Sequence, residues 1–124
     1  MLIIIRGVPG SGKSTIAKEY VERGYQHFEA DMYFLDNDGN YKFDTYKLRD
    51  AHAWCMAMTF HTLLEGKNVV VSNTFVKRWE FQPYIDFCND NNIPYGIIVA
   101  GGSYFNIHGV PDEVVKRMRR NWED

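Results

Sequence analysis

Gly7, Gly12, Lys13 and Ser14 stand in the spacing G-x-x-x-x-G-K-S within the run Gly7-Val8-Pro9-Gly10-Ser11-Gly12-Lys13-Ser14-Thr15. Each residue type has a chemical reason to be there. Glycines at positions 7, 10 and 12 permit backbone angles that a Cβ would forbid, so successive N–H groups can turn inward around a phosphate. The helix that follows would aim its positive dipole end at the same point. Lys13 would reach the β- and γ-phosphates of ATP, and the Ser14 hydroxyl would take one Mg²⁺ position. Val8, Pro9, Gly10, Ser11, Gly12, Lys13, Ser14 and Thr15 are therefore the candidate nucleotide-binding residues.

Such a loop works only between a strand and a helix. Leu2-Ile3-Ile4-Ile5 before it is a short apolar, β-branched run of the kind buried on both faces of a sheet. After it, Ile16, Ala17, Tyr20 and Val21 recur at helical spacing, and Gly24 is placed to end that helix. Tyr25 to Ala30 predicts a second strand ending at Asp31. In an open parallel α/β sheet, ligands sit beyond the carboxyl ends of the strands. Asp31 is thus expected near the γ-phosphate, as a base toward an attacking hydroxyl or as a Mg²⁺ ligand through water. A carboxylate capping the next turn is the competing explanation.

Asp36-Asn37-Asp38-Gly39-Asn40 is a predicted surface loop; its glycine offset and the lack of a final Glu argue against a calcium loop. A long helix follows, capped by Asp44 or Thr45, with Leu48, Ala51, Cys55 and Met58 as its buried stripe. Val69-Val70-Val71-Ser72 predicts a third strand, and Ser72 stands where P-loop enzymes commonly place a metal-binding Asp. Either Asp31 and water complete the metal shell or metal affinity is weak. Beyond Asn73-Thr74-Phe75, Lys77 and Arg78 could grip a substrate phosphate or could equally begin a solvated helix. That helix runs from about Arg78 to Asn91 and buries Phe81, Tyr84, Ile85 and Cys88, and Pro94 to Ala100 supplies a fourth strand. A last helix from Pro111 should bury Val114, Val115, Met118 and Trp122 and leave Lys116, Arg117, Arg119 and Arg120 on a solvated face.

With 124 residues, one domain over 1–124 is expected. No run approaches the ~20 apolar residues a bilayer span requires, and Met1 leads straight into a strand, so no membrane association and a cytoplasmic location are expected. Cys55 and Cys88 lack metal-site spacing and are expected in the core. A formal charge of −2 argues against a strongly basic nucleic-acid scaffold without excluding a local basic patch. Four apolar strands alternating with helices predict a three-layer α/β sandwich on a parallel sheet.

The chain resembles the polynucleotide-kinase-like P-loop kinases, among them small ATP-binding proteins of phages and bacteria and the kinase-like domain of vertebrate Nedd-binding-protein relatives. The resemblance rests on Arg6 to Ser14, Asn73-Thr74, Trp79-Glu80 with Pro83-Tyr84, and Asn106-Ile107-His108-Gly109-Val110. It implies strand order 2-3-1-4, phosphate and Mg²⁺ contacts from Lys13 and Ser14, and Asp31 as general base toward a 5'-hydroxyl. Three departures accompany it. Phe34 stands where a phage polynucleotide kinase has a substrate-binding Arg, Ser72 stands where relatives have Asp, and Phe105 replaces the lid Arg, the lid helix itself being almost absent. A transition-state arginine can be worth ~10³ to 10⁵ in rate, so slow transfer is expected unless Arg78, Arg117, Arg120 or another chain supplies one.

The expected function is ATP- and Mg²⁺-dependent phosphotransfer to a hydroxyl of a nucleic acid or nucleotide, whether a 5'-hydroxyl, a nucleoside or a hydroxymethylated base. The alternatives are a nucleotide-binding module or slow ATPase that regulates a protein partner, and a kinase of a small metabolite.

Overall fold

The computed structural model describes residues 1–101 and 112–124. Along the chain come β1 (Leu2–Arg6), α1 (Lys13–Glu22), β2 (Gln26–Phe28), a 3-10 turn (Ala30–Phe34), a second 3-10 turn (Thr45–Lys47) running into α2 (Leu48–Leu64), β3 (Val69–Asn73), α3 (Arg78–Asp90), β4 (Tyr95–Val99) and α4 (Asp112–Arg120). The four strands form one parallel sheet in the order β2-β3-β1-β4, as the resemblance implies. Every residue of β1 and β3 is buried, which is why both read as unbroken apolar runs rather than as alternations. β4 lies at an edge, and Tyr95, Ile97 and Val99 are exposed there.

The sheet's alternation sorts its side chains into two cores. Leu2, Ile4, Val69 and Val71 pack with Ala51, Cys55 and Leu63 of α2 and with Phe81, Tyr84, Ile85 and Cys88 of α3. Ile3, Ile5 and Val70 face the other way, onto Ala17 of α1. Helices therefore cover both faces of the sheet, giving the expected three layers. Both cysteines are buried, unpaired thiols.

Several predicted faces shift. In α1 only Ala17 is buried; Ile16 and Tyr20 are half-buried and Val21 is exposed, because α1 meets the sheet along a narrow line. In α2, Leu48 is exposed and Met58 half-buried, while Thr59, Thr62 and Leu63 are buried. The Thr59 and Thr62 hydroxyls donate to the carbonyls of Cys55 and Met58, at 2.8 Å each, so these polar residues enter the core satisfied. Asp44 caps the 3-10 turn ahead of α2 by accepting from the Tyr46 N–H. In α4, Val114, Val115 and Met118 are half-buried, as is Trp122 beyond it, and Lys116, Arg117, Arg119 and Arg120 are exposed. Pro111, expected to open that helix, lies outside the described residues, as do Tyr104, Phe105 and the Asn106 to Val110 run.

A buried cation ties the chain's last residues to the sheet. Arg6, 3% exposed, donates from Nε to the Phe75 carbonyl at 3.0 Å and from Nη2 to the carbonyls of Val76 and Glu123. Its guanidinium carbon lies 4.3 Å from the centre of the Phe81 ring and 4.4 Å from that of Trp122. The Glu123 N–H returns a bond to the Val76 carbonyl, and the Glu123 carboxylate accepts from the Arg78 N–H. A planar fork can serve carbonyls with its edge and aromatic rings with its faces, which an ammonium cannot. Replacing Arg6 by Ala strips charge-assisted bonds from three carbonyls, and a loss of about 3 kcal/mol is expected in urea unfolding. Arg6→Lys should recover little of it.

Candidate functional site

The P-loop leaves β1 at the carboxyl edge of the sheet and enters α1 directly. Its conformation is set by backbone bonds: Gly7 N–H to the Thr74 carbonyl at 3.2 Å and Ser11 N–H to the Val8 carbonyl at 3.1 Å. Gly12 caps α1 in the left-handed region at φ 99°, where a side chain would be strained, and no side chain caps the helix. The first-turn amides of α1 therefore open toward the loop's concavity. Gly7 is required for a different reason. A Cβ there would lie 2.2 Å from Ser11 Oγ and 3.1 Å from both Ala100 Cβ and Lys13 Cγ.

Two observations show that this concavity suits an anion. Ser11 Oγ is buried and has no hydrogen-bond partner among the described residues. Lys13 donates to the carbonyls of Gly7 and Val8, at 2.8 and 3.1 Å, which uses two of its three protons and fixes the ammonium over the loop. The pocket alongside has a volume of about 370 Å³ and is lined by Gly7, Val8 and Ser11, by Val99 to Gly101 at the end of β4, and by Arg119 and Trp122.

Asp31 sits three residues past β2, inside the 3-10 turn. The Ala30 N–H donates to Asn73 Oδ1 at 2.8 Å, stapling this turn to the end of β3. Tyr41, on the next loop, donates its hydroxyl to Asp31 Oδ1 at 3.2 Å. Burial, followed by the Asp31 charge and this bond, pushes the Tyr41 phenol up to about 12, so the donor keeps its proton at neutral pH. Burial lowers the pKa of Lys13, and the charges of Glu29 and then Asp31 raise it again. Lysine and both carboxylates therefore share one electrostatic neighbourhood at the strand ends.

Ser14 and Thr15 are exposed on the first turn of α1, with Val8 and Ser11 buried and Pro9, Gly10 and Gly12 half-buried in the loop. Lys77 and Arg78 open α3 with both backbone N–H groups bonded, and the Arg78 guanidinium is engaged as well. The Lys77 N–H donates to Glu80 Oε2 at 2.7 Å, and Arg78 is held by Glu123 and by the Asp124 carbonyl at 2.7 Å. Phe34, aligned by resemblance with a substrate arginine, is a buried core residue. Sequence reasoning missed Glu29, Tyr41 and Arg119. The signal for Glu29 was its place two residues before Asp31 in a chain with no acid at position 72; Tyr41 and Arg119 arrive through tertiary contacts that no local spacing announces.

Oxygen ligands are what Mg²⁺ takes, usually one or two carboxylates together with phosphate oxygens and water. Ser14 and Asp31 are of that chemistry. No cluster of three or more His, Cys, Asp and Glu side chains among the described residues forms a cage for a softer metal. No helix among them is long and apolar enough to cross a membrane.

The family profile described as "AAA domain" matches residues 2–103. The chain belongs to this family. It is a P-loop kinase-like protein of the polynucleotide-kinase-like kind. Human NEDD4-binding protein 2 is 28% identical over 137 residues, covering 99% of this chain and 8% of the human protein. A protein of Acanthamoeba polyphaga mimivirus, named for bifunctional polynucleotide phosphatase and kinase activity, is 29% identical over 118 residues, covering 94% of this chain and 23% of the viral one. The chain thus spans under a quarter of the length of these relatives. In fold it matches the structure of Chaetomium thermophilum Kti12 in complex with ADP-AlF3, with a TM-score of 0.67 at 14% identity over 100% of this chain and 81% of the other. P-loop kinases of this family generally use ATP and Mg²⁺.

The crowding around Gly7 makes it the most direct probe of the loop. Gly7→Ala is expected to weaken ATP binding at least tenfold in calorimetry while the far-UV spectrum is retained, since the added methyl displaces Ser11 or Lys13 rather than the sheet.

Proposed function

We propose that this chain transfers the γ-phosphate of ATP to a hydroxyl group of a nucleic acid or nucleotide. The observation that carries the reading is the convergence at one sheet edge of an anion cradle, the Lys13 ammonium and the Asp31 carboxylate held by Tyr41. Asp31 takes the proton of the acceptor hydroxyl as its oxygen bonds to the γ-phosphorus; the bond from that phosphorus to the bridging oxygen breaks and ADP leaves. Lys13 and the amides of Gly10 to Thr15 hold the phosphate charge. Bound Mg²⁺ would neutralise charge on the β- and γ-oxygens, with Ser14 and Asp31 as its oxygen donors. Lys77 and Arg78 supply cations at the start of α3 for an acceptor's phosphate, the Arg78 guanidinium only by giving up the Asp124 carbonyl. The name of the mimivirus relative supports a polynucleotide acceptor, a 5'-hydroxyl or a hydroxymethylated base being the two chemistries in view.

A second reading, a nucleotide-binding module or slow ATPase that controls a protein partner, draws on Ser72 in place of an acid and on the engagement of Arg78 by the last residues. The two separate in one experiment. With γ-labelled ATP, Mg²⁺ and a panel of 5'-hydroxyl oligonucleotides, nucleosides, hydroxymethylated DNA and small hydroxylated metabolites, label should pass to a nucleic-acid or nucleotide acceptor. Asp31→Asn should reduce that transfer by ~10²-fold or more without loss of ATP binding. Label on no acceptor, with Asp31→Asn and parent alike, would discard the transferase and leave the binding module; label on a metabolite alone would move the substrate class.

A further inference from the structure

Ser72, the last residue but one of β3, stands where the resemblance sets an acidic residue, and it is 1% exposed. Its hydroxyl is not idle. Oγ donates to Glu29 Oε2 at 3.3 Å, and because a hydroxyl has one proton, the contact with His27 Nε2 at 2.7 Å must have the imidazole donating. His27 to Ser72 to Glu29 is thus a short chain of bonds that ends by aiming a carboxylate. The backbone just after Glu29 is pinned as well, through Ala30 N–H to Asn73 Oδ1.

We propose that Glu29, delivered from the end of β2, supplies the metal-facing carboxylate that position 72 lacks, and that Ser72 serves to position it. The assignment rests on the nucleotide reading given above. β2 and β3 are neighbours in the sheet, with Phe28 opposite Val71, so an acid one residue beyond β2 can reach the space in front of Ser72. The glutamate side chain is one methylene longer than that of Asp, and the Ser72 hydroxyl takes up the room an Asp would fill. Glu29 and Asp31 lie two residues apart on the turn that Asn73 pins to the end of β3, so both leave the sheet at the edge from which the P-loop departs. The unpartnered Ser11 hydroxyl and the left-handed glycines mark that side as one built for a ligand. Glu29 would join Ser14 and Asp31 among the oxygen donors for Mg²⁺, through water, which lightens the demand on Asp31, bonded to Tyr41, when it takes the acceptor's proton.

The test reads metal binding rather than turnover. Affinity of the protein–ATP complex for Mn²⁺, a spectroscopic substitute for Mg²⁺, is measured by electron paramagnetic resonance, and ATP affinity without metal by calorimetry. Glu29→Gln keeps shape and the bond from Ser72 but removes the charge. It should weaken Mn²⁺ binding about tenfold while metal-free ATP affinity holds or improves. Glu29→Gln combined with Ser72→Asp, which moves the charge one strand over, should restore Mn²⁺ binding. Should Glu29→Gln fail to fold, Ser72→Ala takes its place and should weaken Mn²⁺ binding by releasing the carboxylate. Wild type that binds ATP with a Mn²⁺ affinity unmoved by these changes overturns the assignment of Glu29 alone. Wild type that takes up no ATP overturns the nucleotide reading and this one together.

Discussion

A single rung of the sheet, with Arg6 between Asn73 and Val99, sets where everything else can lie. Because all strands are parallel, their carboxyl ends meet at one edge, and the segments leaving them are forced into one another's company. The P-loop leaves from Arg6, the wall of its pocket from Val99, and the Asn73 side chain reaches sideways to fix the turn that carries Asp31. Arg6 itself closes the edge from below by holding the carbonyls after β3 and the segment after α4. One buried guanidinium and one buried amide thereby position a site made from four stretches distant in sequence.

The electrostatics of that edge follow from how little of it is in water. Partial burial disfavours charge on Lys13, and the charges of Glu29 and Asp31 offset part of that cost. Placing Glu29 and Asp31 two residues apart on a pinned turn concentrates negative charge beside a loop made to bind phosphate, an arrangement that repels a bare triphosphate. It becomes favourable when a divalent cation stands between them. The same logic explains the neutral partners: Tyr41 and Ser72 donate hydrogen bonds to the carboxylates without cancelling their charge.

Much of this was legible in the residues. Strand, loop and helix around Gly7 to Thr15 are specified locally, by β-branched run, glycine spacing and helical periodicity, and the sheet order came with the resemblance. What escaped was any property set by a partner far along the chain. Leu48 and Val21 fit helical stripes yet lie exposed, because the width of a buried stripe depends on what packs there. Thr59 and Thr62 broke the pattern by type but enter the core because the helix's own carbonyls satisfy them. Asn73 and Thr74, one of the pieces that carry the resemblance, have structural bonds here: one staples the Asp31 turn and the other accepts from Gly7.

The cationic face of α4 illustrates the same boundary from the opposite side. Lys116, Arg117, Arg119 and Arg120 read as a solvated surface, and all four are exposed. Yet Trp122 docks on Arg6, and Arg119, three residues before it, borders the pocket beside the P-loop. One cation of a face that periodicity assigns to solvent thus stands beside the P-loop, next to an aromatic ring three residues away. The ring is held by an arginine more than a hundred positions earlier in the chain. The stability of the Arg6 cluster and the shape of the pocket are for that reason one physical problem: whatever loosens Trp122 from Arg6 also withdraws a cation and a wall from the space next to the phosphates.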